Sequence, residues 1–156
     1  MSDRSAKHST FTIDRVYDAA PSRVFAAFAD PEVKSQWFAG PEEFSDGGWS
    51  LDFRIGGREV NRGGPPGGPV YTYEAVYQDI VPDERIVTTY EMYVGEARMS
   101  VSVATFEFVP DGGGTRLVLT EQGVFLDGLD TSEQREEGTG VLLDALGALL
   151  AKSADG

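Results

Sequence analysis

The chain has 156 residues, with 13 Lys plus Arg against 26 Asp plus Glu, for a formal net charge of −13. Such a surface repels phosphate backbones and anionic lipid, which argues against nucleic acid and membrane surfaces as partners, although one well-placed Arg could still hold a small anion. Cysteine is absent, which removes disulfides, thiolate catalysis and Cys-based metal sites, and no apolar run resembles a signal peptide or a membrane span, so a cytoplasmic protein is expected.

Met1 to Ser9 is polar and reads as a loose tail at residues 1–9, ahead of a single domain at 10–152. From Thr10 the stretch TFTIDRVYDA alternates, with Phe11, Ile13, Arg15 and Tyr17 in one phase, as a strand requires. AAPSRVFAAFAD predicts a short helix with Pro21 in its first turn and Val24, Phe25 and Phe28 on one face. Asp30-Pro31 is an N-cap followed by a first-turn proline and opens a second short helix carrying Val33 and Trp37, with Gly40-Pro41 as its end. Trp37 and Phe38 are adjacent, about 100° apart on a helix, so one buried face does not hold both. One of the pair is expected to fill the core and the other to close the end of a pocket.

The middle of the chain is strand-like. GGWSLDFRIGG places Trp49, Leu51, Phe53 and Ile55 in one phase and predicts a half-buried strand. GREVN is a candidate partner for a following strand across RGGPPGGP. VYTYEAVYQDI, RIVTTYEMYV, ARMSVSVATFEFV and TRLVLTEQGVF follow, separated by VPDE, VGE and PDGGG, which predicts an antiparallel meander. Thr131 and Gln134 have capping-box spacing ahead of the long helix candidate SEQREEGTGVLLDALGALLAK. Steps of about 100° gather Leu142, Leu143, Leu146, Leu149 and Leu150 on one side, with Arg135 and Thr139 in the same arc. The predicted fold is α+β: about seven antiparallel strands curved around a C-terminal helix, with two short helices after the first strand and a wedge of space between sheet and helix.

VYDAAPSRVFAAFADPEVKSQWF, IVPDERIVTTYE, GGGTRLVLTEQG and REEGTGVLLDALGALL, in that order, resemble homologues of the activator of heat-shock-protein-90 ATPase. These belong to the START-like (SRPBCC) helix-grip superfamily, and the similarity runs from Thr10 to about Ala151. The resemblance implies a helix-grip fold with a cavity between sheet and last helix, and it fixes no single activity. Relatives often open the last helix with His, then Glu-Glu-Gly-Trp. Here Arg135 stands at the His position and Thr139 at the Trp position. An aromatic side chain buries about 150–250 Å², so its loss is expected to leave open space beside Arg135 and Thr139.

The only histidine is His8, which leaves Ser-His-Asp, His-base and His-metal chemistry almost no material. Glu42/Glu43, Asp83/Glu84 and Glu136/Glu137 are adjacent in sequence rather than facing, as solvated surface pairs are. GGPPGGP lacks Lys, Ser and Thr, and its prolines remove the N–H donors a phosphate cradle needs, so it is a hairpin loop. No metal or organic cofactor is expected. Most of the aromatics are ordinary core material, yet tyrosines, with an apolar body and a hydroxyl, suit a cavity for an amphipathic ligand. Arg15, Glu121 and Arg135 fall in inward phases; each either reaches solvent at an element's end, joins an internal pair or binds a polar ligand group, with Arg135 placed for a carboxylate, a carbonyl or Glu121.

The leading expectation is binding of a small apolar or aromatic ligand in the cavity between the sheet and the C-terminal helix. Candidate contacts are the aromatics Trp37, Phe38, Trp49, Phe53, Tyr71, Tyr73, Tyr90 and Phe106, joined by Glu121, Arg135, Thr139 and Leu142. The alternatives are a polyketide cyclase or aromatase-like enzyme, with Tyr, Arg and Glu steering proton transfer, and a module that stimulates a chaperone ATPase. The single predicted domain argues against the last, because the eukaryotic co-chaperone carries an extra N-terminal domain. A homodimer is compatible with the composition.

Overall fold

In the computed structural model, residues 4–38 and 48–154 are described. The first strand, β1 (Ala6–Tyr17), buries Phe11, Ile13 and Tyr17 on one face, as its alternation requires. It begins four residues earlier than the polar composition suggests. Ala6 to Ser9 pair with Leu126 to Gly123, and Asp127 ties the start down by accepting from the Arg4 guanidinium at 2.8 Å and the Ser5 backbone N–H at 3.0 Å. The expected tail at 1–9 is therefore partly strand. Its Ala6, Lys7 and His8 are exposed at a sheet edge, where pairing needs no apolar residue.

Helices α1 (Pro21–Ala29) and α2 (Pro31–Phe38) follow. The Asp30 carboxylate accepts the Glu32 N–H at 3.0 Å, capping α2 as its sequence predicts. Gly40-Pro41 and the Glu42/Glu43 pair lie outside the described residues. The strand expected from Trp49 to Ile55 is short: β2 is Trp49–Leu51 alone. Beyond it the chain turns, with Arg54 N–H donating to Asp52 O and Gly57 N–H to Arg54 O. Gly56 takes φ of +85°, and a Cβ on Gly57 would lie 2.1 Å from Asp52 O. This double-glycine turn overrides the alternation and leaves Ile55 58% exposed.

The remaining strands are β3 (Arg58–Gly63), β4 (Tyr71–Val81), β5 (Arg85–Val94), β6 (Ala97–Asp111) and β7 (Gly114–Leu126). They form one seven-stranded antiparallel sheet in the order β1-β7-β6-β5-β4-β3-β2. The glycine-rich stretch joins β3 to β4 as a hairpin, closed by Gly68 N–H to Pro65 O at 2.9 Å. Register shifts at Tyr77/Asp79 and Met92/Tyr93 interrupt the ladders of β4 and β5, the kind of irregularity that bends a sheet.

The last element, α3 (Ser132–Ala154), is capped by Thr131, whose hydroxyl accepts the Gln134 N–H at 3.2 Å. Leu143, Leu146 and Leu150 are buried in one core cluster with Leu117, Leu119 and Phe108, and Leu142 and Leu149 pack at its margin. Burying a leucine fully stabilises by about 1.5–3 kcal/mol, which is what anchors α3 to the sheet. A polar link adds to this, Tyr17 donating its hydroxyl to Leu143 O at 2.7 Å, and Arg23 of α1 donates to Leu150 O at 2.6 Å. A curved sheet closed over a long C-terminal helix is the helix-grip arrangement.

Candidate functional site

A cavity of about 380 Å³ lies between the sheet and the first half of α3. Alternation supplies its floor: Tyr71 and Tyr73 from β4, Tyr90 and Met92 from β5, Ala104 and Phe106 from β6, and Glu121 from β7. Helical spacing supplies its roof, because Arg135, Gly138, Thr139 and Leu142 recur every three or four residues along one face of α3. Phe38, Asn61, Gly63, Asp130 and Gln134 complete the wall. A Cβ on Gly138 would meet nothing within 4 Å, so the helix leaves open space beside Thr139.

Nine of the twelve side chains chosen from the sequence sit on this wall: Phe38, Tyr71, Tyr73, Tyr90, Phe106, Glu121, Arg135, Thr139 and Leu142. Trp37, Trp49 and Phe53 do not. Trp37 is 3% exposed, packs edge-on against Phe28 and donates its indole N–H to Ala27 O at 3.0 Å. The adjacent pair therefore divides, with Trp37 in the core and Phe38 on the cavity wall, where it meets the Tyr73 ring at 5.2 Å. Trp49 donates to Glu59 instead, and Phe53, past the end of β2, packs on Phe25 and Tyr77. Asn61, Gly63, Met92, Ala104, Asp130, Gln134 and Gly138 were missed. Met92 and Ala104 share the phases of Tyr90 and Phe106, so alternation could have found them.

The polar end of the cavity gathers around Arg135, whose side chain is 10% exposed. Its guanidinium donates to the Tyr90 hydroxyl, to Ser100 Oγ and to the Asp130 carboxylate, each at 2.9 Å. It also lies over the Phe125 ring, 5.2 Å from the centroid. Tyr90 in turn donates to Glu121 Oε2 at 2.6 Å. Burial lifts the Glu121 carboxyl above the usual carboxylate range, against the opposing pull of Tyr90 and Arg135. Burial, then the neighbouring Glu121, pushes the Tyr90 phenol well up, and burial does the same to Tyr73. Both tyrosines thus stay protonated donors. Arg15, the other inward-phase cation, is partly exposed and bonds Asp144 at 2.7 Å, away from the cavity.

Behind Phe38 lies a second polar cluster that the sequence did not disclose. Lys34 Nζ is 2.6 Å from Glu59 Oε1 and 4.3 Å from the Phe38 ring centroid. The Tyr77 hydroxyl donates to Glu59 Oε1 at 2.7 Å, and Trp49 Nε1 donates to Oε2 at 3.0 Å. Burial holds the Lys34 amine below the ordinary lysine range, although Glu59 favours its charged form. Once β3 is registered on β4, with Glu59 opposite Ala75, the inward direction of Glu59 follows from that of Ala75. Among the described residues no group of three or more His, Cys, Asp or Glu side chains is placed to hold a metal ion. Nor is any described helix long and apolar enough to cross a membrane.

Solved structures similar to this chain share its fold closely. A protein of Rhizobium leguminosarum is 45% identical with a TM-score of 0.90, covering 96% of this chain and 98% of its own. One of Rhizobium loti is 50% identical with a TM-score of 0.87, covering 93% and 99%. A protein of Chromobacterium violaceum is 27% identical with a TM-score of 0.73, covering 90% and 96%. A comparison with curated proteins gives no match. The family model described as activator of Hsp90 ATPase homolog 1-like protein matches residues 18–151, which is most of the chain. The chain therefore belongs to the activator of Hsp90 ATPase homolog 1-like family.

Proposed function

We propose that this protein holds a small molecule with an apolar or aromatic body and a polar end in the cavity between the sheet and α3. The observation that carries the reading is the cavity itself: about 380 Å³, walled by aromatic and aliphatic side chains, with polar groups converging at one end. Ligand pockets typically enclose about 300–1,000 Å³ and combine apolar walls with a few placed polar groups. The Phe38, Tyr73 and Phe106 rings would take the body, and the Glu121, Tyr90 and Arg135 cluster would orient the polar end.

Native mass spectrometry of the protein purified from its own host tests this. The expected result is a small-molecule adduct that dissociates on denaturation and is missing from a Thr139→Trp variant. Equal adduct on both proteins, or none on either, counts against the reading.

A further inference from the structure

We infer that the cavity selects an uncharged ligand whose hydrogen-bond donor meets Glu121, and that it excludes carboxylates; this rests on the cavity being a ligand site. Among the described residues, the charged side chains on its wall are Glu121, Asp130 and Arg135. Arg135 is the only cation of the three, and it is already matched, with Asp130 Oδ2 2.9 Å from its Nη2 and the Tyr90 and Ser100 hydroxyls accepting its other bonds. Asp130 is itself only 13% exposed, so solvent does little to weaken the pair. The other buried cation nearby, Lys34, is closed off by Glu59 at 2.6 Å. An anionic ligand would thus enter a space where carboxylates already outnumber the guanidinium, with no free counter-charge.

Glu121, by contrast, keeps an acceptor open. Glu121 is 4% exposed, and its Oε2 accepts from Tyr90 at 2.6 Å. Among the described residues no hydrogen bond reaches its Oε1. Glu121 lines the cavity, so a ligand hydroxyl, phenol or amide N–H there can supply the donor that its Oε1 lacks. A cationic ligand would satisfy Glu121 too, but it would lie beside Arg135, whose Nη1 is 4.0 Å from the same carboxylate.

Three probes sharing one ring system separate these cases: naphthol, naphthoate and naphthylmethylammonium, substituted at the same carbon and titrated calorimetrically at neutral pH. Wild-type protein is expected to bind naphthol at least about tenfold more tightly than either charged probe. Asp130→Asn removes the carboxylate that matches Arg135 and should raise naphthoate affinity about tenfold. The wild-type ranking decides by itself should that variant not fold. Naphthoate or the ammonium probe binding wild type as tightly as naphthol overturns the selectivity and leaves the cavity standing as a ligand site. Unchanged naphthoate affinity in folded Asp130→Asn also overturns it. Failure of all three probes to bind overturns both the selectivity and the ligand site.

Discussion

Lys34 holds its Nζ 2.6 Å from Oε1 of Glu59, and the two side chains are only 5% and 0% exposed. The pair joins α2 to β3, and through Trp49 and Tyr77 it reaches β2 and β4. It fixes where α2 ends against the sheet, and so where Phe38 stands on the cavity wall.

Removing one member of a buried ion pair leaves the other uncompensated, at a cost of about 3–5 kcal/mol. Lys34→Met should lose stability on that scale in urea denaturation. The double variant Lys34→Met, Glu59→Gln keeps an acceptor for Trp49 or Tyr77 without a stranded charge and should be the more stable of the two. A Lys34→Met variant as stable as wild type would show that the pair does not hold the sheet and α2 together.

The glycines of α3 separate by what lies opposite them. A Cβ on Gly147 would lie 3.1 Å from the Tyr17 ring, one on Gly140 would lie 3.1 Å from Arg15 Nη2, and one on Gly138 would meet nothing. Replacing glycine by alanine inside a helix gains up to about 1 kcal/mol where space permits. Thermal melts should therefore rank Gly138→Ala as stabilised and Gly147→Ala as neutral or destabilised. Gly140→Ala falls between, because an arginine end yields more easily than a buried ring. The reverse order would contradict the close approach of α3 to β1.

Glu121 supplies a pH signature. Its folded-state pKa is raised above the ordinary value of 4.5, so folded protein holds that proton more tightly than unfolded chain. Its contribution to stability is fully present below about pH 4.5 and is lost as pH rises through the raised value. Stability measured relative to Glu121→Gln cancels the other carboxylates. Wild type minus variant should fall as pH climbs from just below 4.5 toward neutral and then level off. A difference that is constant, or that grows with pH, would contradict the buried placement of Glu121.

Strand alternation and the leucine face of α3 were legible in the sequence because each reports a single local geometry. Phase put Tyr73, Tyr90, Arg135 and Thr139 on shared faces, and all four line the cavity. Three failures have separate physical causes. The Gly56-Gly57 turn ended β2 inside an alternating run and sent Phe53 elsewhere. Ala6 to Ser9 form an exposed edge strand with no apolar pattern to announce it. Lys34 and Glu59 lie 25 residues apart, on a helix and a strand, and each looks like a solvated charge until the tertiary fold brings them together.

The central claim is that space under α3, opened by the small side chains at Gly138 and Thr139, takes a ligand. Thr139→Trp puts an aromatic side chain of about 150–250 Å² into that space without touching the leucine core. Calorimetric titration of naphthol against wild type and this variant, with melting curves run alongside, tests the claim most directly. The account predicts binding to wild type, no measurable binding to Thr139→Trp, and a variant that melts cooperatively near the wild-type temperature. Equal naphthol affinity in the two folded proteins would contradict it.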